Sequence, residues 1–245
     1  MQLVEASSFA VRSAVIQLRR PCTPLGFVLF PMIHLATPAF YAAVMTRLAD
    51  CQLIVAEGGT GLERTAGGQA LTLSYRLAGR ARRWGLVTQR LTLSELGVPV
   101  VAPDMDADRF RRGWRRLPVL VRLWAWVLVP AFGIGLLVFG SRGLLVRRLG
   151  SQEDLPTRED ELGYGRFDVL QELLVEDRDA LLVGALDAIH QQRSQEPISV
   201  AVVYGAGHMP AVVRSLARYG YRASSAEWLT VFGYYVRLGR RLRGR

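Results

Sequence analysis

The chain has 245 residues and a formal charge of +10, and because it contains no lysine all 31 of its basic side chains are arginine. This excludes a Schiff-base lysine and a P-loop lysine. Half of the residues are hydrophobic, with a mean hydropathy of +0.18, enough to bury one sizeable core.

Residues 1–21 carry Glu5 and lack both a basic leader and a long apolar run, so they do not read as a signal peptide. Residues 11–18 read as a strand and residues 19–24 (RRPCTP) as a turn. Residues 26–33 (GFVLFPMI) form a second, apolar strand, and the two together suggest a hairpin. His34 ends that strand. Pro38 then opens a helix with Tyr41, Val44, Met45 and Leu48 at helical spacing. Residues 52–56 (QLIVA) are a short buried strand stopped by Glu57-Gly58-Gly59. Glu57 is thus a carboxylate at a strand end, beside the edge where His34 should lie. Residues 70–83 read as a basic amphipathic helix and residues 98–102 as a fourth strand. Asp104 and Asp106 read as helix N-caps before a basic helix over residues 108–116, with entry into the strand-end site as the alternative.

Residues 117–149 differ in character. No charge occurs between Arg122 and Arg142, a length near that needed to span a bilayer. Pro130, Gly133 and Gly135 interrupt the run, and arginines crowd both flanks. A helical hairpin or broken helix with both ends on the cytoplasmic face is expected, held on anionic lipid by those arginines. The alternative is a buried helix over the cleft or in a homodimer interface. Residues 151–161 are an acidic linker. Residues 166–192 read as a helix, with Arg178 among acids and His190 at a solvated end. Residues 198–203 form an apolar strand that breaks at Gly205-Ala206-Gly207-His208, and Pro210 opens the next helix. Residues 228–236 read as a last strand before a basic tail. The organisation is a domain in two halves, residues 1–116 and 150–245, around an insertion at 117–149.

Two units share one plan: strand, then Pro or Gly, two residues, His, Pro, helix. Two of the three histidines in the chain occupy equivalent places in this repeat. The fold class that follows is α/β, with a mixed central sheet built from the two units. Strand ends that pass straight into helices line the crevice where open α/β sheets bind ligands. Two histidines and a carboxylate there suit an acid/base pair or a borderline divalent ion such as Zn, Mn or Co. His34, Glu57 and His208 are the candidate ligands. The plainer readings are a helix-capping His208, a core His34 and a capping or surface Glu57. Arg178 either pairs with the neighbouring acids or faces the cleft. The chain has no GxSxG, HExxH or CxxC, and Cys22 and Cys51 read as reduced thiols in a cytosolic compartment. Gly205-Ala206-Gly207 begins like a dinucleotide fingerprint, but Pro210 replaces its third glycine. No nucleic-acid motif accompanies the arginines, so nucleic acid is not an expected partner.

Four segments, FPMIHLATPAFYAAV, LIVAEGG, LVEDRDALLVGAL and VVYGAGHMPAVV, resemble the TraB/PrgY/GumN family. That family is related to the Tiki metalloproteases and distantly to erythromycin esterase-like proteins. Its hallmark is a pair of GxxH motifs plus a glutamate. The second motif is intact at Gly205–His208, whereas Pro31 stands where the first has glycine. The resemblance implies a metal-dependent hydrolase of peptide or amide bonds. His34, Glu57 and His208 would hold the metal, and Arg178 would bind a carboxylate or orient Glu57. The alternative function is a non-catalytic, membrane-associated protein that binds or sequesters peptides.

Overall fold

A computed structural model describes residues 1–7, 9–58, 65, 68–69, 85–139 and 175–233. The helix expected over 70–83, the linker, residues 140–149 of the apolar stretch, the start of the 166–192 helix and the basic tail lie outside these residues.

In chain order the elements are β1 (Val4–Ala6), β2 (Ala10–Arg20), β3 (Thr23–Met32), β4 (Leu35–Ala36), α1 (Pro38–Leu48), β5 (Leu53–Ala56), β6 (Val87–Thr88), β7 (Val100–Val101), α2 (Ala107–Arg116), α3 (Val119–Phe139), α4 (Asp177–Arg193), β8 (Ser199–Gly205), α5 (Met209–Arg218) and β9 (Arg222–Gly233). The fold is α/β, and its central sheet is mixed. β9, β2 and β3 run antiparallel as neighbours, and β3, β8, β5 and β7 run parallel. β1 pairs with the start of β2, and β4 and β6 make a separate two-stranded strap.

The sequence explains this division. β5 (LIVA) and residues Val200–Gly205 of β8 are buried without a break, as expected for parallel strands covered on both faces. β2 and β3 form the expected hairpin, with Cys22 in the left-handed region at φ 57° where the chain reverses. Both cysteines are free. Cys51 is buried, and burial raises its thiol to about 11. β9 is longer than expected at its start and lies along most of β2, from Ala10↔Gly233 to Arg19↔Arg222. β7 is shorter than expected: only Val100 and Val101 are strand, both exposed at the sheet edge. Pro99 accepts from Ile54 N–H but has no N–H of its own to extend the pairing.

α1 begins where the sequence places it. The Thr37 side chain accepts from Phe40 N–H at 3.3 Å, Pro38 fills the first turn, and Phe40, Tyr41, Val44 and Leu48 are buried. α5 buries Met209, Val212 and Leu216 against the sheet, and α4 buries Leu182, Leu186 and Ile189. Ser215 Oγ donates to Asp187 Oδ1 at 3.0 Å and ties these two helices together. His190 is not solvated as expected. It is buried, its Nδ1 is 3.2 Å from Tyr221 Oη, and its ring lies 4.3 Å from that of Tyr219. The polar residues that follow it in sequence hid the apolar wall supplied by the far end of the chain.

α2 is capped by Asp106, which accepts from Arg109 N–H at 2.6 Å. It buries Phe110 in a small cluster with Met105 and Leu117. α3 runs continuously through Pro130 and does not break there. A helix can carry an internal proline at the cost of one backbone bond. Leu120, Leu123, Trp124, Trp126, Val127 and Leu128 on α3 are exposed. Among the described residues no helix is long and apolar enough to cross a membrane.

Candidate functional site

The two histidine units lie side by side. β3 and β8 are parallel neighbours with Pro31 opposite Tyr204 and Met32 opposite Gly205. Their chains leave the sheet at the same edge, so His34 and His208 follow adjacent strands there. β5 pairs with the other side of β8, with Ala56 opposite Val203, and Glu57 follows. Glu57 N–H donates to Val203 O at 3.0 Å, which carries the β5–β8 ladder up to the carboxylate.

Pro31 does not disturb this arrangement. Gly205, the matching position of the second unit, has φ −50° and ψ 141°, which is backbone that proline adopts readily. Ser13 Oγ donates to Pro31 O at 2.6 Å, and Tyr41 Oη donates to Ile33 O at 2.8 Å. His34 is therefore presented from pinned backbone. Its carbonyl accepts from Gln89 N–H at 2.9 Å, where the β4–β6 strap begins. Its side chain is exposed and is not part of the core.

Glu57 is gripped from two sides. Its Oε1 accepts from Arg178 Nη2 at 2.6 Å, and its Oε2 accepts from Gly205 N–H at 3.0 Å. Burial raises the carboxyl's pKa, but the Arg178 charge, His34, the Arg178 hydrogen bond and His208 together outweigh it. The net result is a carboxyl below its ordinary range. Arg178 also holds Asp104, with Nε to Oδ1 and Nη2 to Oδ2, each at 2.8 Å. Arg178 thus faces the site and does not pair with the acids beside it in sequence. Asp104 is not a cap: both its oxygens accept from this guanidinium. Gly58 makes room for it, since a Cβ there would stand 3.1 Å from Asp104 Cβ.

His208 stands at the N-cap position of α5, but its side chain makes no capping hydrogen bond. Its Nδ1 is 2.7 Å from Asp179 Oδ1. Its Cδ2 edge and Glu57 Oε2 both lie against Gly205, where an added Cβ would be 3.6 and 3.5 Å from them. Tyr204 stands edge-on to the ring at 5.8 Å and donates to Pro103 O at 3.2 Å. Burial drives the Tyr204 phenol well above its usual range, so it stays protonated.

His34, Glu57, His208 and Arg178 are thus assembled at one sheet edge. Asp104, for which entry into the site was the alternative to a cap, joins them, as do Asp179 and Tyr204, which the sequence did not single out. Arg178 and Asp179 are consecutive in the first turn of α4, so a single helix start supplies one bond to the carboxylate and one to the imidazole. Among the described residues no group of three or more His, Cys, Asp or Glu side chains is gathered to hold a metal ion. Both Glu57 oxygens already accept hydrogen bonds, and this donor set as arranged does not fit a resident divalent ion. Compared with protein-family models, with curated proteins and with solved structures, the chain matches none significantly.

Proposed function

We propose that the chain is a hydrolase of peptide or amide bonds, of the TraB/Tiki kind that its four segments resemble. The observation that carries this reading is the Glu57 carboxylate, fixed between Arg178 and Gly205 N–H beside the braced His208. Open α/β sheets bind ligands at this edge, and a carboxylate next to an oriented imidazole is the equipment of general acid–base work. His208 Nε2 takes a proton from water as the water oxygen attacks the amide carbonyl carbon. It returns that proton to the leaving nitrogen. Glu57, kept ionised, favours the imidazolium formed in between. The Zn, Mn or Co ion that the resemblance implies would call on His34, His208 and Glu57, and would have to draw Glu57 away from Arg178.

The test is hydrolysis of a short-peptide mixture by wild-type protein and His208→Ala, with elemental analysis of both. New amino termini are expected only with the wild type, and the variant should stay folded with a modestly lowered melting temperature. Equal product from both would end the hydrolase reading.

The second reading is a membrane-associated protein that binds peptides at this edge without cleaving them. The exposed apolar side of α3, next to the arginine-rich α2, favours it. Either protein would sit on the cytoplasmic face of a membrane, with α3 against anionic lipid. Peptide binding that survives in His208→Ala, with no cleavage by the wild type, would select this reading.

A further inference from the structure

His208 Nδ1 lies 2.7 Å from Asp179 Oδ1, and the two side chains are only 9% and 18% exposed. An ionised carboxylate can only accept a hydrogen bond, so the nitrogen facing it carries the proton. In the neutral ring the lone pair is then on Nε2. That nitrogen has no hydrogen-bond partner among the described residues, and it is not one of the buried unpaired atoms. It keeps a small access to solvent although the residue as a whole is buried. The ring cannot easily turn over. Tyr204 stands against it edge-on, and its Cδ2 side rests at Gly205.

We propose that Asp179 is the positioning residue of this site. It fixes His208 as the Nδ1–H tautomer and leaves Nε2 as the base that meets water and substrate. The chemistry rests on the hydrolase reading, whereas the tautomer rests on geometry alone. Arg178 adds to the argument. Being next to Asp179 on the same helical turn, it couples the base and the carboxylate to one rigid support. A movement of α4 would shift both together and keep their spacing.

Nitrogen-15 spectra of histidine-labelled protein, in chelator at pH 8, test this directly. The chain has three imidazoles, and His208→Ala assigns the signal. The wild type is expected to show a protonated Nδ1 and a bare Nε2 at His208. Asp179→Ala should move that ring toward the Nε2–H form and cut peptide hydrolysis by about 10–100-fold, mainly in kcat, as loss of an orienting carboxylate does elsewhere. Asp179→Asn keeps the shape but can turn its amide NH2 onto Nδ1, so it should melt with the wild type and still shift the ring toward the Nε2–H form. A wild-type His208 in the Nε2–H form, or a tautomer unmoved by Asp179→Ala, overturns the proposal. A tautomer shift in a wild type that cleaves no peptide overturns the hydrolase reading and leaves the positioning role standing.

Discussion

Arg178 Nη2 donates to Glu57 Oε1 at 2.6 Å while the same guanidinium forks onto both oxygens of Asp104. One cation thus faces two carboxylates, all three largely buried. Removing it would leave two like charges facing each other out of water. Breaking a buried pair from one side costs about 3–5 kcal/mol. Arg178→Met is therefore expected to lower stability by about that much in urea unfolding. Arg178→Lys should recover only a part, because an ammonium cannot span three oxygens with a planar fork. A loss under about 1 kcal/mol would show that water screens the cluster.

Glu57 gives a pH signature. Its folded pKa is depressed, so the stability it contributes is present above the ordinary glutamate value of about 4.3 and is lost as pH falls through the folded value. Glu57→Gln removes that titration. The stability gap between wild type and Glu57→Gln should be widest near neutrality and close on acidification below about pH 4. A gap that stays constant with pH would mean that Glu57 does not titrate differently in the fold.

The Tyr41 hydroxyl holds the residue before His34, through its 2.8 Å bond to Ile33 O. Tyr41→Phe leaves that carbonyl without its partner at nearly unchanged volume. A cost of about 1–3 kcal/mol is expected. Peptide hydrolysis should fall as well, because His34 leaves the sheet from this backbone. Full activity and full stability together would show that the strap through Gln89 suffices to hold His34.

α3 invites a binding measurement. The protein is expected to sediment with vesicles rich in anionic lipid and much less with zwitterionic ones, and added salt should weaken the binding. Leu120→Glu with Val127→Glu, both on the exposed side, should abolish it while the rest of the fold melts as before. Vesicle binding untouched by these changes would place the contact elsewhere.

The strand ends were legible because each is an unbroken apolar run stopped by Gly or His, and the sheet needs nothing more to align them. The repeat placed His34 and His208 at one edge, and β3 and β8 are neighbours there. Asp104 was legible only as the lesser of two readings, and Asp179 was not legible as part of the site. Their partners lie 74 and 29 residues away, and an acid just before or within a first helical turn looks like a cap in sequence. Asp106 is such a cap and Asp104 is not, yet the two differ by a single intervening residue. His190 misled for a related reason: Tyr219 and Tyr221, which enclose it, arrive only after another strand and helix. α3 held together through Pro130 because a proline removes one helical bond and leaves the others to carry the rod.

The pairing of β2 with β9 sets the order in which the molecule can be made. This is the longest ladder in the sheet, and it joins residues 10–19 to residues 222–233. Until the ribosome has released residue 233, β2 has one flank bare and a row of amides and carbonyls open to other chains. β3 likewise waits for β8. Contacts of such wide sequence separation make folding slow, because the loop entropy is lost before the contacts form. Nascent chains would therefore depend on holding factors until the last strand docks, and a stop shortly before Arg222 would yield a protein that contains every residue of the site and still aggregates.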